Sequence, residues 1–152
     1  MSATPLSRIE WLSDLVRLEI SLWNRIDARL REEHDLPLAF FWPLYMIGRS
    51  PGARLRVGEL AMVLGHTVGG ASKIVDRIER AGLLRREPDP HDRRASSVVL
   101  TDAGTHRLAA ASQTYEREMA TILGDALTED EQQSMHRLVR RLLHTAGETA
   151  PA

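Results

Sequence analysis

A chain of 152 residues, 43% of them apolar, is long enough for about one domain with a folded core. Zero cysteines exclude disulfides, thiolate metal sites and thiol redox sensing. The net charge of −1 is uneven: between Arg54 and Arg94 nine basic residues face six acidic ones, so that segment carries +3 and the remainder −4, which points to a localised polyanion site.

Met1 to Pro5 leads straight into a mixed charged stretch, without the basic start and apolar run of a secretion signal. No apolar run approaches the roughly 20 residues of a membrane span, so the sequence predicts a soluble, cytoplasmic chain with no membrane partner. Residues 6 to 33 predict a long helix, with Leu15, Leu18, Leu22, Ile26 and Leu30 down one side and Leu12, Val16 and Trp23 beside them. His34 to Pro37 ends it. Leu38 to Gly48 predicts a second helix, rich in aromatics (Phe40, Phe41, Trp42, Tyr45) and carrying Pro43 inside. A loop, Arg49 to Ala53, then a short strand at Leu55-Arg56 lead to a third helix, Val57 to Leu64.

Gly65-His66-Thr67 predicts a tight turn, with Thr67 as N-cap of a fourth helix, Val68 to Ala81. Val68, Ala71, Ile74, Val75 and Ile78 recur at spacings of three and four, the apolar face of that helix. Gly69, Gly70, Ser72, Lys73, Asp76, Arg77 and Arg80 point away from it. Gly82 stops the helix, and two extended runs, Leu83 to Glu87 and Ala95 to Leu100, flank a Pro- and Asp-rich turn, a hairpin pattern. Thr101-Asp102 predicts the cap of a helix from Ala103 to about Gly124. Thr128 and Glu131 form a capping box that opens a last helix carrying Met135, Leu138, Val139, Leu142 and Leu143.

The fold class predicted is mainly α, six helices with a small β-hairpin wing: a winged helix-turn-helix. Residues 38–101 would form the lobe that grips duplex DNA. Residues 6–35 and 103–147 would form a helical dimerisation region, because they expose more apolar surface than one small lobe covers, and an intertwined homodimer would bury it. A helix that reads the major groove needs small or polar residues at its front and cations behind, and Thr67, Gly69, Gly70, Ser72, Lys73 and Arg77 meet that need. Glycines at 69 and 70 each cost about 1 kcal/mol relative to alanine in a helix interior, so close approach to DNA is one reason for them. Arg93 and Arg94 at the hairpin tip suit a narrow minor groove, with Asp92 bracing one of them by a salt bridge.

The run Ile74 to Arg86, continuing through Asp89-Pro90-His91-Asp92-Arg93-Arg94-Ala95 to Leu100-Thr101-Asp102-Ala103-Gly104, closely resembles the MarR family of bacterial transcriptional regulators. The resemblance implies a triangular homodimer on a pseudo-palindromic operator, joined by the first, fifth and sixth helices. It implies DNA contacts from Ser72, Lys73 and Arg77, capping by Thr67 and a minor-groove contact from Arg94. Gly69 and Gly70 stand where many members place larger or hydroxylated residues, and Arg56 where a Ser or Thr cap is common. It also implies a repressor released by a small aromatic or phenolic effector between the dimer helices and the DNA-binding lobe. Trp11, Trp23, Phe41, Trp42, Tyr45, Met46 and Arg49 are the candidate lining, with Arg17 or His34 as anion partner. The alternative is that these aromatics simply pack the junction of the first, second and fifth helices.

The six histidines show no metal spacing, no nucleophile elbow or phosphate loop is present, and neither a cofactor nor an enzyme is expected. Two rival readings stay open: a ligand-independent DNA-binding factor, and a protein-interaction module that has lost DNA binding, for which Gly69 and Gly70 are the best support.

Overall fold

The computed structural model describes residues 7–92 and 94–146. Helix α1, Arg8–His34, starts at Ser7, whose hydroxyl accepts the Glu10 N–H, and stops where Asp35 turns left-handed at φ 49°. The predicted start at residue 6 and the end of the dimerisation region at residue 147 lie outside the described residues. Helix α2, Leu38–Arg49, is tied to α1 by its first N–H, which donates to Asp27 Oδ1 at 2.7 Å. It runs through Pro43, which is buried with Leu38, Phe41, Leu44 and Ile47. The expected loop after α2 contains a single 3-10 turn, Pro51–Ala53, and strand β1 is Arg54–Arg56.

Helices α3, Val57–Val63, and α4, Val68–Arg80, form the helix-turn-helix. Ala71, Val75 and Ile78 of α4 are buried as the spacing predicts, and Ile74 is half-buried. Val68 departs from that prediction: it is 60% exposed at the first helical position of α4. Gly82, at φ +74°, then lets the chain reverse. Leu83 N–H donates to the Ile78 carbonyl and Gly82 N–H to that of Glu79, a paired closure that satisfies two otherwise orphan carbonyls.

Strands β2, Leu84–Pro88, and β3, Ser96–Leu100, form the wing hairpin, and β1 joins the far side of β3 to give an antiparallel sheet of order β1-β3-β2. The register sets Leu84 opposite Leu100, and Arg56 opposite Ser97. Helix α5, Asp102–Ala126, is locked to the base of the wing. Thr101 donates its N–H to the Leu83 carbonyl and its hydroxyl to that of Gly82, while the same hydroxyl oxygen accepts the Gly104 N–H. A Cβ on Gly104 would stand 1.8 Å from the Leu83 carbonyl oxygen, so only glycine lets α5 start there.

The core lies where the second half of α1, α2, α4, the sheet and α5 converge, on Ile26, Leu30, Leu36, Leu44, Ile47, Leu60, Ile78 and Val98. At its α1–α5 edge Thr114 is buried, its hydroxyl donating to Glu33 at 2.8 Å, with His34 Nε2 2.8 Å away. Thr114 and then Arg117 hold the Glu33 carboxyl below the usual range. Helix α6, Glu129–Thr145, opens on the predicted Thr128–Glu131 capping box and has no buried residue. Its Leu138, Val139 and Leu142 stay 43–51% exposed, as do Leu12, Val16, Leu18 and Ile20 of α1 at 44–58%. Two apolar stripes therefore lack a cover among the described residues.

Candidate nucleic-acid interface

Thr67 builds the front of α4 by accepting the Gly70 N–H on its hydroxyl oxygen at 3.1 Å, a cap that fixes the first turn. Behind it Gly69, Lys73, Arg77 and Arg80 are exposed and Ser72 is half-buried. Of the residues predicted to point away from the core, Gly70, Ser72 and Asp76 are half-buried and the rest are exposed, including Arg77. Its guanidinium stands over the Phe40 ring of α2, 5.4 Å from the centroid, and is held by a cation–π contact while exposed.

Charge within the basic segment is sorted rather than spread. Arg86 pairs with Asp76 at 2.6 Å and with Glu79, Arg85 with Glu87 at 2.6 Å, Arg54 with Glu87 at 3.4 Å, and Arg56 with Asp89 at 2.8 Å. Four of the segment's six acids are thereby spent on four arginines of the sheet and of α3's cap. Lys73, Arg77, Arg80 and Arg94 form no ion pair among the described residues. The positive excess thus gathers on the outer face of α4 and at the wing.

The wing is braced by a residue that sequence reasoning passed over. Asp89 is buried at the hairpin neck, and its carboxylate accepts four donors: Arg56 Nε–H at 2.8 Å, Ser97 Oγ–H at 3.0 Å, His91 N–H at 2.9 Å and Asp92 N–H at 3.1 Å. Chiefly the Arg56 bond, then that from His91, holds the carboxyl far below the ordinary range. Asp89-Pro90, an Asp that bonds its own backbone two residues on, was the available signal. Asp92 was expected to brace an arginine by a salt bridge. Its carboxylate accepts the backbone N–H of Arg94 at 3.0 Å, and a bridge to Arg93 would fall outside the described residues. Arg94 is exposed; Arg93 lies outside the described residues.

The candidate effector residues do not share one cavity. Trp23 and Trp42 line a hollow of about 350 Å³ with Ile26, Leu38, Tyr115 and Met119, between α1, α2 and α5. Tyr45 and Arg49 line a separate open cleft of about 550 Å³ between α2, the sheet and α5, with Arg54, Arg85, Thr105, Leu108 and Ser112. Arg49 donates to the Tyr45 hydroxyl at 3.0 Å. Trp11 and Arg17 sit on the exposed first half of α1, Arg17 3.9 Å from Asp14, and line neither space. Met46 lines a smaller hollow of about 200 Å³ with Tyr45, Arg49, Leu55 and Val63, and Phe41, Trp42 and Tyr45 line another of about 200 Å³ with Tyr115. Phe41 stacks on Tyr115 at 5.2 Å and on Tyr45 at 5.8 Å, with Trp42 edge-on, so the aromatics pack the α2–α5 junction. Tyr115, which no periodicity singled out, completes that stack, and burial pushes its hydroxyl pKa up.

This arrangement defines a winged helix-turn-helix protein, with a capped recognition helix, a sheet base whose arginines are ion-paired and a braced wing. Residues 34–95 match the model of the MarR family. Transcriptional regulator HosA of Escherichia coli O111:H- is 31% identical over 116 residues, 75% of this chain and 84% of that protein. A MarR family transcriptional regulator from Streptomyces coelicolor, solved in complex with DNA, superposes with a TM-score of 0.81 at 26% identity, covering 100% of this chain and 94% of that one. A mutant MarR from Escherichia coli complexed with operator DNA gives 0.72 at 26% identity, over 91% and 99% of the two chains. The chain belongs to the MarR family of transcriptional regulators.

Proposed function

We propose that this protein is a homodimeric repressor that straddles a pseudo-palindromic operator, with α4 of each subunit in the major groove and each wing in the minor groove. The observation that carries the reading is the sorting of charge. Arginines of the sheet are neutralised internally, while Lys73, Arg80 and Arg94 stand free on the two elements that would meet the duplex. Two structural relatives solved with DNA support DNA binding as the role. Thr67, Gly69, Gly70, Ser72, Lys73, Arg77, Arg93 and Arg94 are its proposed DNA contacts.

Dimerisation by residues 6–35 and 103–147 would cover the apolar stripes of α1 and α6. It would fix the two recognition helices about 34 Å apart, one turn of the duplex. An effector is proposed to act by changing that separation, a population shift rather than a competition for the groove. The cleft holding Tyr45 and Arg49 is its best supported seat, because it spans α5 of the dimer region and the sheet of the DNA-binding lobe.

The test is to select duplexes from a random library with the full-length protein, and then to repeat the binding with aromatic acids added. Enrichment of a two-fold sequence, released by an acid, is expected. Failure to enrich any duplex overturns DNA binding, and enrichment that no acid disturbs overturns release.

A further inference from the structure

We propose that Gly69, with Val68 beside it, is a specificity-determining position that receives the 5-methyl group of a thymine. The inference rests on the DNA-binding reading above and assigns one base contact within it. Two glycines in the first turn weaken a helix, and the structure separates their reasons. At Gly70 a Cβ would lie 3.2 Å from the capping hydroxyl of Thr67, so that glycine serves the cap. At Gly69 a Cβ would meet nothing within 4 Å. No neighbour inside the chain asks for glycine there.

The position is also open to a partner. Gly69, Lys73 and Arg80 follow the four- and seven-residue spacing of one helix line, and all three are exposed. Val68, next to it, is 60% exposed at the first helical position, although Ala71, Val75 and Ile78 of its face are buried. A cationic helix front therefore begins with a bare backbone beside an apolar wall. A phosphate can use the bare backbone N–H groups of this turn but gains nothing from the Val68 isopropyl. Together the two features suit a small apolar group that projects toward the helix, and in the major groove that group is the thymine methyl. Seated against Gly69 Cα and sheltered by Val68, it would occupy the volume that an alanine Cβ would fill.

The experiment uses the full-length protein and the duplex enriched from a random library by the wild type, with each thymine replaced in turn by deoxyuridine. Removing the methyl at one base pair in each half-site should weaken wild-type binding about fifteenfold, about fourfold for each of two buried methyl-sized groups. Gly69→Ala should melt higher than wild type, bind the thymine duplex about tenfold more weakly and recover most of that loss on the deoxyuridine duplex, a recovery that a role in folding alone would not give. Val68→Ala should reduce the wild-type preference for thymine. Equal affinity for thymine and deoxyuridine at every position, or a Gly69→Ala protein that keeps the wild-type preference, overturns the assignment and leaves DNA binding intact. A wild type that enriches no duplex overturns the reading beneath it.

Discussion

The carboxylate of Asp89 accepts the Nε–H of Arg56 at 2.8 Å, joining the neck of the wing to the residue that caps α3. Arg56 also pairs across the sheet with Ser97, whose hydroxyl donates to the same carboxylate. Wing and helix-turn-helix are thus fixed to each other through one buried anion. Asp89→Asn keeps the shape but removes the charge that four donors share. Its affinity for the selected duplex should fall about tenfold, the worth of one charge-assisted bond lost at the wing's base. Fluorescence anisotropy measures this, and wild-type affinity in the variant would show that the wing holds its angle without the pair.

The same residue sets an acid response. Its folded pKa is depressed, so its contribution to stability is complete above the ordinary aspartate value of about 4 and is lost as pH falls from there toward the depressed native value. Glu33 and Glu131 are depressed in the same sense. Circular dichroism on acidification should show Asp89→Asn less stable than wild type at pH 6. Its loss of stability below pH 4 should be shallower, and parallel curves would remove Asp89 from the acid transition.

Arg94 is exposed at the wing tip with its backbone N–H held by Asp92, so its side chain is free to reach outward. Arg94→Ala should weaken binding at least about tenfold, as expected for a guanidinium seated in a narrow minor groove, and leave the dimer intact. Gel shift and sedimentation together decide the matter; undiminished binding would remove the wing from the interface.

Lys73 makes no ion pair among the described residues and sits behind the bare first turn of α4. If it touches a phosphate in each subunit, Lys73→Ala should lower the slope of log affinity against log salt by about 2 per dimer. Titrations at several salt concentrations measure the slope, and a value equal to wild type rules out the phosphate contact.

Gly104 faces the Leu83 carbonyl oxygen so closely that alanine forces α5 and the wing base apart. Gly104→Ala should cost about 3 kcal/mol in urea denaturation at fixed protein concentration, the upper range for overpacking. A midpoint within error of wild type would mean that the joint yields.

Assembly gives the last expectation. Leu138, Val139 and Leu142 of α6 and Leu12, Val16 and Leu18 of α1 stay 43–58% exposed, more than a lone soluble helix face usually leaves in water. The protein should sediment as a dimer at micromolar concentration, and Val139→Glu should shift it toward monomer. A wild-type monomer at that concentration would remove the basis for paired half-sites.

Much of this architecture was legible in the chain alone, because its signals are local. Caps at Thr67, Thr101 and Thr128, the stop at Gly82, the three-and-four spacing of Ala71, Val75 and Ile78, and the two extended runs around Pro88 and Pro90 each act within a few residues. What depended on distant partners was hidden. Periodicity placed Val68 in the core, yet it stands 60% exposed at the start of α4. Composition gave the basic excess of residues 54–94, but only the folded sheet decided that Arg54, Arg56, Arg85 and Arg86 would be neutralised and Lys73, Arg80 and Arg94 left free. Tyr115 joins Phe41 from more than seventy positions away, and Asp89 finds Arg56 across the sheet. Caps and stripes follow from neighbours along the backbone, whereas ion pairs and aromatic stacks form between groups that only packing brings together.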